Sequence, residues 1–333
     1  LGQGASNRSK GAGQLMMVFG LIALIAGAAS ALMFASISSG VLISLVLYFL
    51  APLPLMVAAI VWGPLCAALG GIIAAIGLGS LLRLSDAAGF MVMVALPSCW
   101  LGHLALLGRP VDGDATGTPS TEWYPLGRIL LWIAGLAIFI VMGLLLTLGT
   151  DADTINQAMR GELLRVMTQI DPAAASELPV VIDAIIVLGT ISAAMMMVIT
   201  LALNLWLAAK VAAASGLLRR PWQDLKTVTL PAATLVGLCV AMAFCFTGGL
   251  AGIFARIVAA ALMMAYGLTG FAVLHTLTLS LKSRPFWLAS AYTLAFIPAL
   301  LVIAMVALGL ADAVFGFRER FLRSRQPPPL PTS

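Results

Sequence analysis

The sequence predicts an all-α, polytopic transmembrane helix bundle of about eight to nine spans. Three observations carry the prediction. Hydrophobic residues fill 62% of the 333 positions, charged residues fill only 9%, and the apolar residues gather into runs of about 20, the length that crosses roughly 30 Å of hydrocarbon. A soluble domain carries roughly 25% charged residues, and so sparse a complement cannot coat a water-facing surface. A soluble enzyme, a disordered chain and a disulfide scaffold are excluded.

Taken in order, the candidate spans are 15–35, 40–60, 64–82, 88–107, 127–149, 179–209, 228–247, 250–281 and 286–311. The first follows a polar head, 1–14, that holds Arg8 and Lys10. Further apolar runs come after it, so it reads as a retained span rather than a cleaved signal peptide. Ser38-Ser39-Gly40 separates it from the second, which Leu50-Ala51-Pro52-Leu53-Pro54 should kink or interrupt, because each proline removes a backbone donor. Gly63-Pro64 opens the third. A loop rich in Gly, Pro, Asp and Thr follows the fourth and ends in Glu122-Trp123-Tyr124-Pro125. After the fifth span, residues 153–170 predict a helix lying on the membrane surface. Ile155, Met159, Leu163, Met167 and Ile170 recur every three or four positions and face away from Arg160, Glu162 and Arg165. Thr247-Gly248-Gly249 divides the seventh from the eighth, Ser283-Arg284-Pro285 precedes the ninth, and Pro298 interrupts it. The result is one transmembrane domain, 15–314, followed by a basic tail, 315–333, whose Pro327-Pro328-Pro329 run suits polyproline II or a disordered end.

The placement of charge orients the bundle. With the N-terminus inside and nine spans, the inner loops hold Arg8, Lys10, Arg109, Arg128, Lys210, Arg219, Arg220, Lys226, Lys282 and Arg284. The outer loops hold Arg83, Arg160, Arg165 and Arg256, a ratio of ten to four that puts the N-terminus in the cytoplasm. The tail's Arg318, Arg320, Arg323 and Arg325 work against that orientation unless the last span does not cross simply. The expected location is the inner (plasma) membrane, with the lipid bilayer as the first partner. Although the net charge is +5, no basic stretch is interleaved with aromatics in a polar context, so nucleic acid is not an expected partner.

No P-loop, HExxH, GxSxG or paired CxxC motif occurs. Two histidines and few carboxylates leave too few ligands for metal hydrolysis. The expectation is therefore no enzyme, no catalytic or metal-binding residue and no cofactor. The four cysteines all lie in apolar runs, as small buried hydrophobes do.

Polar residues inside spans are expensive and are the default functional candidates. His103, Asn204 and His275 are the best of them. His103 precedes Arg109 by six residues, Asn204 precedes Lys210 by six and His275 precedes Lys282 by seven. At 1.5 Å per residue each sits roughly 9–11 Å in from a cytoplasmic boundary. A single polar layer would be a ligand site or a hydrogen-bond clamp; the alternative is three separate helix–helix bonds. Asp183 at the mouth of the sixth span is a secondary candidate for a cation or proton site, against a solvated carboxylate. Trp123 and Tyr124 are further candidates, against plain belt aromatics. Ala23, Gly27, Ala31 and Ala35 repeat every four positions, as do Ala67, Gly71, Ala75 and Gly79. Such stripes let backbones approach closely; internal packing is the favoured use, and docking of another membrane subunit through Ala23, Gly27 and Ala31 the alternative.

Several of these segments, in order, resemble the YybS-like family of bacterial membrane proteins. They are Leu50-Ala51-Pro52-Leu53-Pro54-Leu55 with Trp62-Gly63, Val94-Ala95-Leu96-Pro97, Glu122-Trp123-Tyr124-Pro125-Leu126-Gly127-Arg128, and Gly309-Leu310-Ala311-Asp312 with Phe315-Gly316-Phe317-Arg318. The resemblance implies an architecture more than an activity. More distantly, the chain is similar to the substrate-binding membrane subunits of energy-coupling-factor transporters. Those bind a small molecule and dock on an ATP-driven module partly through small residues of the first span, which the Ala23-Gly27-Ala31 stripe would mimic. The expected function is a membrane-embedded small-molecule binding or transport component, its ligand unnamed. The alternative is a non-transporting scaffold or envelope-biogenesis protein. An enclosed polar cavity would favour the first, a solid Gly/Ala-packed interior the second.

Overall fold

A computed structural model describes residues 2–111, 120–170, 179–221, 228–280, 283–293 and 298–323. The tail beyond 323, together with Asp171, Glu177, Lys226 and Lys282, lies outside the described residues. The architecture is an all-α helix bundle. Among the described residues seven helical segments are long and apolar enough to cross a membrane, or eight if the bent pair Leu300–Phe315 and Phe317–Arg323 counts as one. The chain is a multi-pass integral membrane protein. It divides into two compact units, Leu1–Pro125 with Ile199–Trp222, and Leu126–Val198 with Gln223–Ser333.

In the first unit, α1 (Gly2–Ala35) leads through a short 3-10 turn to α2 (Leu42–Leu50) and α3 (Pro52–Trp62). Only Ala51 separates α2 from α3, as Pro52 requires, and together they make one span, Leu42–Trp62. α4 (Pro64–Leu81) restarts after Gly63, which takes a left-handed φ of 102° ahead of Pro64. α5 (Leu84–Phe90) runs through a π-helical turn, Met91–Ala95, into α6 (Leu96–Leu106). Pro97 explains that turn: its ring crowds the carbonyl four residues back and it offers no amide, so the preceding turn widens.

The α1 stripe packs within this unit, but the α4 residue it meets is Gly70 rather than Gly71 of the row read from sequence; Gly71 faces Ala95 instead. A Cβ placed on Gly70 of α4 would lie 2.5 Å from the Ala23 carbonyl of α1, and one on Gly27 would strike the Gly70 carbonyl. Ala23, Ala67 and Ala74 are buried around that crossing, with Leu55 and Phe90 closing it off. Two short strands, β1 (Gly108–Val111) and β2 (Ser120–Trp123), pair antiparallel in the loop after α6, Gly108 opposite Trp123. The sequence reading did not anticipate this ribbon, whose four-residue strands are too short for periodicity to register.

The second unit is built on α11 (Gly249–Leu277), against which α7 (Leu126–Leu146), α10 (Ala233–Phe244) and α13 (Pro298–Phe315) pack. α8 (Ala152–Ile170) is too polar to count among the spanning helices. Its Ile155 is buried among Val141, Leu145, Ile253 and Ile257, and the cluster also takes in Met159. Asp151 caps its first turn by accepting from the Thr154 amide (2.9 Å) and hydroxyl (2.7 Å), bonds that hold the carboxyl below its ordinary pKa. α9 (Pro179–Ala214) supplies residues to both units. The seventh candidate span, 228–247, contains a helix of only 12 residues, α10. The ninth, 286–311, contains most of α12 (Arg284–Thr293) and of α13, which opens on Pro298.

The α1–α4 crossing predicts a selective cost. Gly70→Val should destabilise the protein by about 1–3 kcal/mol through forced backbone separation. Gly77→Val, on the same helix with open space around it, should be close to neutral. Thermal unfolding in detergent, followed by circular dichroism, separates the two.

Candidate functional site

The sequence-predicted residues fall into distinct surroundings. Asn204 is fully buried in the first unit. Its amide nitrogen donates to the carbonyls of Phe49 (2.8 Å) and Thr200 (2.7 Å). Phe49 lies in the last turn of α2. Buried Ser98 gives its hydroxyl proton to the Val94 carbonyl at 2.7 Å, with the Pro52 carbonyl further off at 3.3 Å. His103, also in the first unit, is exposed on the last turn of α6 beside Trp100, with ring centroids 6.0 Å apart. Asn204 and His103 thus serve different neighbours. His275 is half-buried in the last turn of α11, in the second unit. Asp183 is exposed and ion-pairs with Arg160, tying α8 to the start of α9, a surface contact of modest worth.

Trp123 and Tyr124 are brought together by a residue read from sequence only as a loop charge. Arg220 is 1% exposed, donates to the carbonyls of Tyr124 (2.8 Å) and Ala105 (3.3 Å), and lies 5.9 Å from the centre of the Trp123 ring. Burial pushes its guanidinium below the ordinary arginine pKa. The clamp joins the end of α6, the end of β2 and the stretch after α9, so Ala105, Trp123, Tyr124 and Arg220 share one end of this unit. In the second unit, Gly127 in the first turn of α7 packs on the Thr229 backbone, while α8 docks near the far end of α7.

The cavity with polar walls lies in the second unit. It measures about 520 Å³, opens to the surface, and is lined by Thr229 and Leu235, by Tyr266 and Thr269, and by Asp312, Arg318 and Glu319. Tyr266 lies about 26 Å from one end of α11 and about 17 Å from the other, at 1.5 Å per residue. Close glycine contacts set the register: Gly309 meets the Tyr266 carbonyl and Gly270 meets the Met305 carbonyl. α13 therefore runs antiparallel to α11, with Asp312 less than a turn beyond the level of Tyr266. α10 begins at that level too, since the hydroxyls of Thr234 and Tyr266 are 2.7 Å apart. Thr234 gives its proton to the Pro231 carbonyl (2.7 Å), so Tyr266 donates to Thr234.

An elbow forms one wall of the cavity. α13 ends at Gly316, in the left-handed region at φ 65°, and α14 (Phe317–Arg323) leaves at 62°. Asp312 holds the turn with both carboxylate oxygens. One accepts the Arg318 backbone amide at 2.9 Å and the other the Arg318 Nε at 2.7 Å. Both side chains are 6% exposed. Glu319 instead pairs with Arg323 on the exposed side of α14. Among the described residues no three His, Cys, Asp or Glu side chains gather as a metal site. Sequence reading did not single out Tyr266, Thr269, Asp312 or Arg318 as site residues, although the last two stood inside segments that carried the family resemblance. Comparison with protein-family models, with curated proteins and with solved structures found no match.

The two ion pairs of the elbow should respond very differently to truncation. Asp312→Ala strands a buried guanidinium and should cost about 3–5 kcal/mol, whereas Glu319→Ala should cost about 0–1 kcal/mol. Chemical unfolding in micelles, read by tryptophan fluorescence, tests the contrast.

Proposed function

We propose that this membrane protein is a binding or transport component for a small polar molecule, which it takes up in the cavity beside Tyr266. The carrying observation is that cavity of about 520 Å³, within the roughly 300–1,000 Å³ of ligand pockets, beside a membrane helix with hydroxyls and a buried ion pair in its wall. Buried polar groups in a membrane protein are costly unless they serve packing or a ligand. The reading fits kinship with the YybS-like membrane proteins and a plasma-membrane location. A second reading, a non-transporting scaffold, draws on the first unit, whose glycine- and alanine-lined crossing leaves its helices tightly packed.

The test fills the cavity. Ala313 lines it from an exposed position, so Ala313→Trp should block it without disturbing the core. Purified protein in lipid nanodiscs is screened by thermal unfolding against small metabolites sorted by charge. A compound that raises the unfolding temperature of the wild type but not of Ala313→Trp supports the proposal; no such compound overturns it.

The N-terminus faces the cytoplasm in this reading, because the basic residues Lys210, Arg219 and Arg220 lie at or beyond the end of the α9 sequence, whereas the acidic Asp151, Asp153 and Glu162 lie before its start. In a cysteine-free background, Asn156→Cys should react with an impermeant maleimide on intact cells and Ser215→Cys only after lysis. The reverse pattern would invert the topology.

A further inference from the structure

We infer that Gly316 is a two-position hinge and that α14 is a lid on the cavity, latched by the Asp312–Arg318 pair. The hydrogen bonds at the hinge itself are already those of a continuous helix. The Gly316 amide donates to the Asp312 carbonyl at 2.7 Å, and the Arg320 amide donates to the Gly316 carbonyl at 3.1 Å. Each bond runs to the residue four places earlier, as in any α-helix. What turns α14 away from α13 is the backbone at Gly316, with its φ of 65°. Glycine takes a positive φ about as readily as the negative φ of a helix. Rotation there joins Pro298–Phe315 and Phe317–Arg323 into one rod, and the bent pair is already apolar enough to count as one span.

Side chains hold the bent position. Arg318 is the one buried side chain of α14, so its pair with Asp312 is the main anchor of that helix. In a straight helix, residues six apart lie on different faces and about 9 Å apart along the axis. Asp312 could not keep Arg318 there. The Arg318 amide, now on the Asp312 carboxylate at 2.9 Å, would pass to the Val314 carbonyl. The Phe315 and Phe317 rings stack across the elbow with centroids 5.6 Å apart, which residues two apart on one helix cannot do. Ion pair, amide bond and ring stack therefore belong to the bent form and are released together. A buried ion pair adds little net stability but fixes one arrangement against another. Glu319 and Leu322 of α14 line the cavity, so straightening removes that wall and widens the mouth.

The test measures the length of the α13–α14 segment with no ligand present, so its outcome is separate from that of the binding proposal. Nitroxide labels on Leu300→Cys and Arg323→Cys, in an otherwise cysteine-free protein in nanodiscs, are read by double electron–electron resonance. At 1.5 Å per residue the two positions are about 30 Å apart across the 62° bend and about 35 Å apart on a straight helix. Gly316→Ala has room for its methyl, because the nearest atom to a Cβ there is a Glu319 carboxylate oxygen at 3.8 Å. It acts through φ and should raise the ratio of long to short distances about 5- to 30-fold. Gly316→Asn tolerates the left-handed region and should stay close to the wild type. Asp312→Asn keeps an acceptor for the Arg318 amide but removes the charge of the latch, and should also lengthen the segment. Should Gly316→Ala fail to fold, Asp312→Asn decides by itself. The short distance alone in Asp312→Asn, or equal distributions for Ala and Asn at 316, overturns the hinge.

Discussion

Water cannot reach a backbone surrounded by hydrocarbon, so every amide or carbonyl freed by a break in a helix must find a partner within the protein. Much of the polar chemistry in this chain answers that demand. Beside the Ala51-Pro52 break, Asn204 donates to the Phe49 carbonyl. The end of α6 is served by Arg220, which takes the Ala105 carbonyl together with that of Tyr124. At the elbow after α13, Asp312 takes the Arg318 amide. In each case a buried side chain that looks functional by its rarity is occupied with the main chain. The cavity beside Tyr266 differs in having polar side chains that also face open volume.

Close helix packing provides the complementary device. Without a hydrophobic effect between helices in lipid, contact area and backbone proximity hold a bundle together. α1 and α4 approach through Gly27 and Gly70, and α11 and α13 through Gly270 and Gly309. The second crossing has a further effect, because it sets which residue of α13 stands level with Tyr266. The position of the ion pair along α11 is thereby decided by two hydrogen atoms where side chains would otherwise be.

The spans were legible because runs of about 20 apolar residues have few alternatives, and the breaks because proline and glycine act locally. Pro52, Gly63-Pro64 and Pro298 each sit where a helix starts or restarts. The helix α8 was legible from a stripe that begins at the buried Ile155. The cavity was not. Asp312 and Arg318 are six residues apart at the end of an apolar run, where a solvated carboxylate and a boundary arginine are the ordinary expectation; only the left-handed Gly316 folds one onto the other. Trp123 and Tyr124 were visible as aromatics at a helix end. Their partner Arg220 lies almost a hundred positions along the chain, a distance at which spacing carries no information.

The glycine at position 70 also has a genetic consequence. Its lack of a side chain is what the α1–α4 crossing uses, and every other amino acid brings at least a Cβ to a place already taken by a neighbouring carbonyl. All codons one base away from a glycine codon specify glycine again, a larger residue or a stop. Mutation therefore has no intermediate step at this position, and any replacement must arrive together with a change in how the two helices cross.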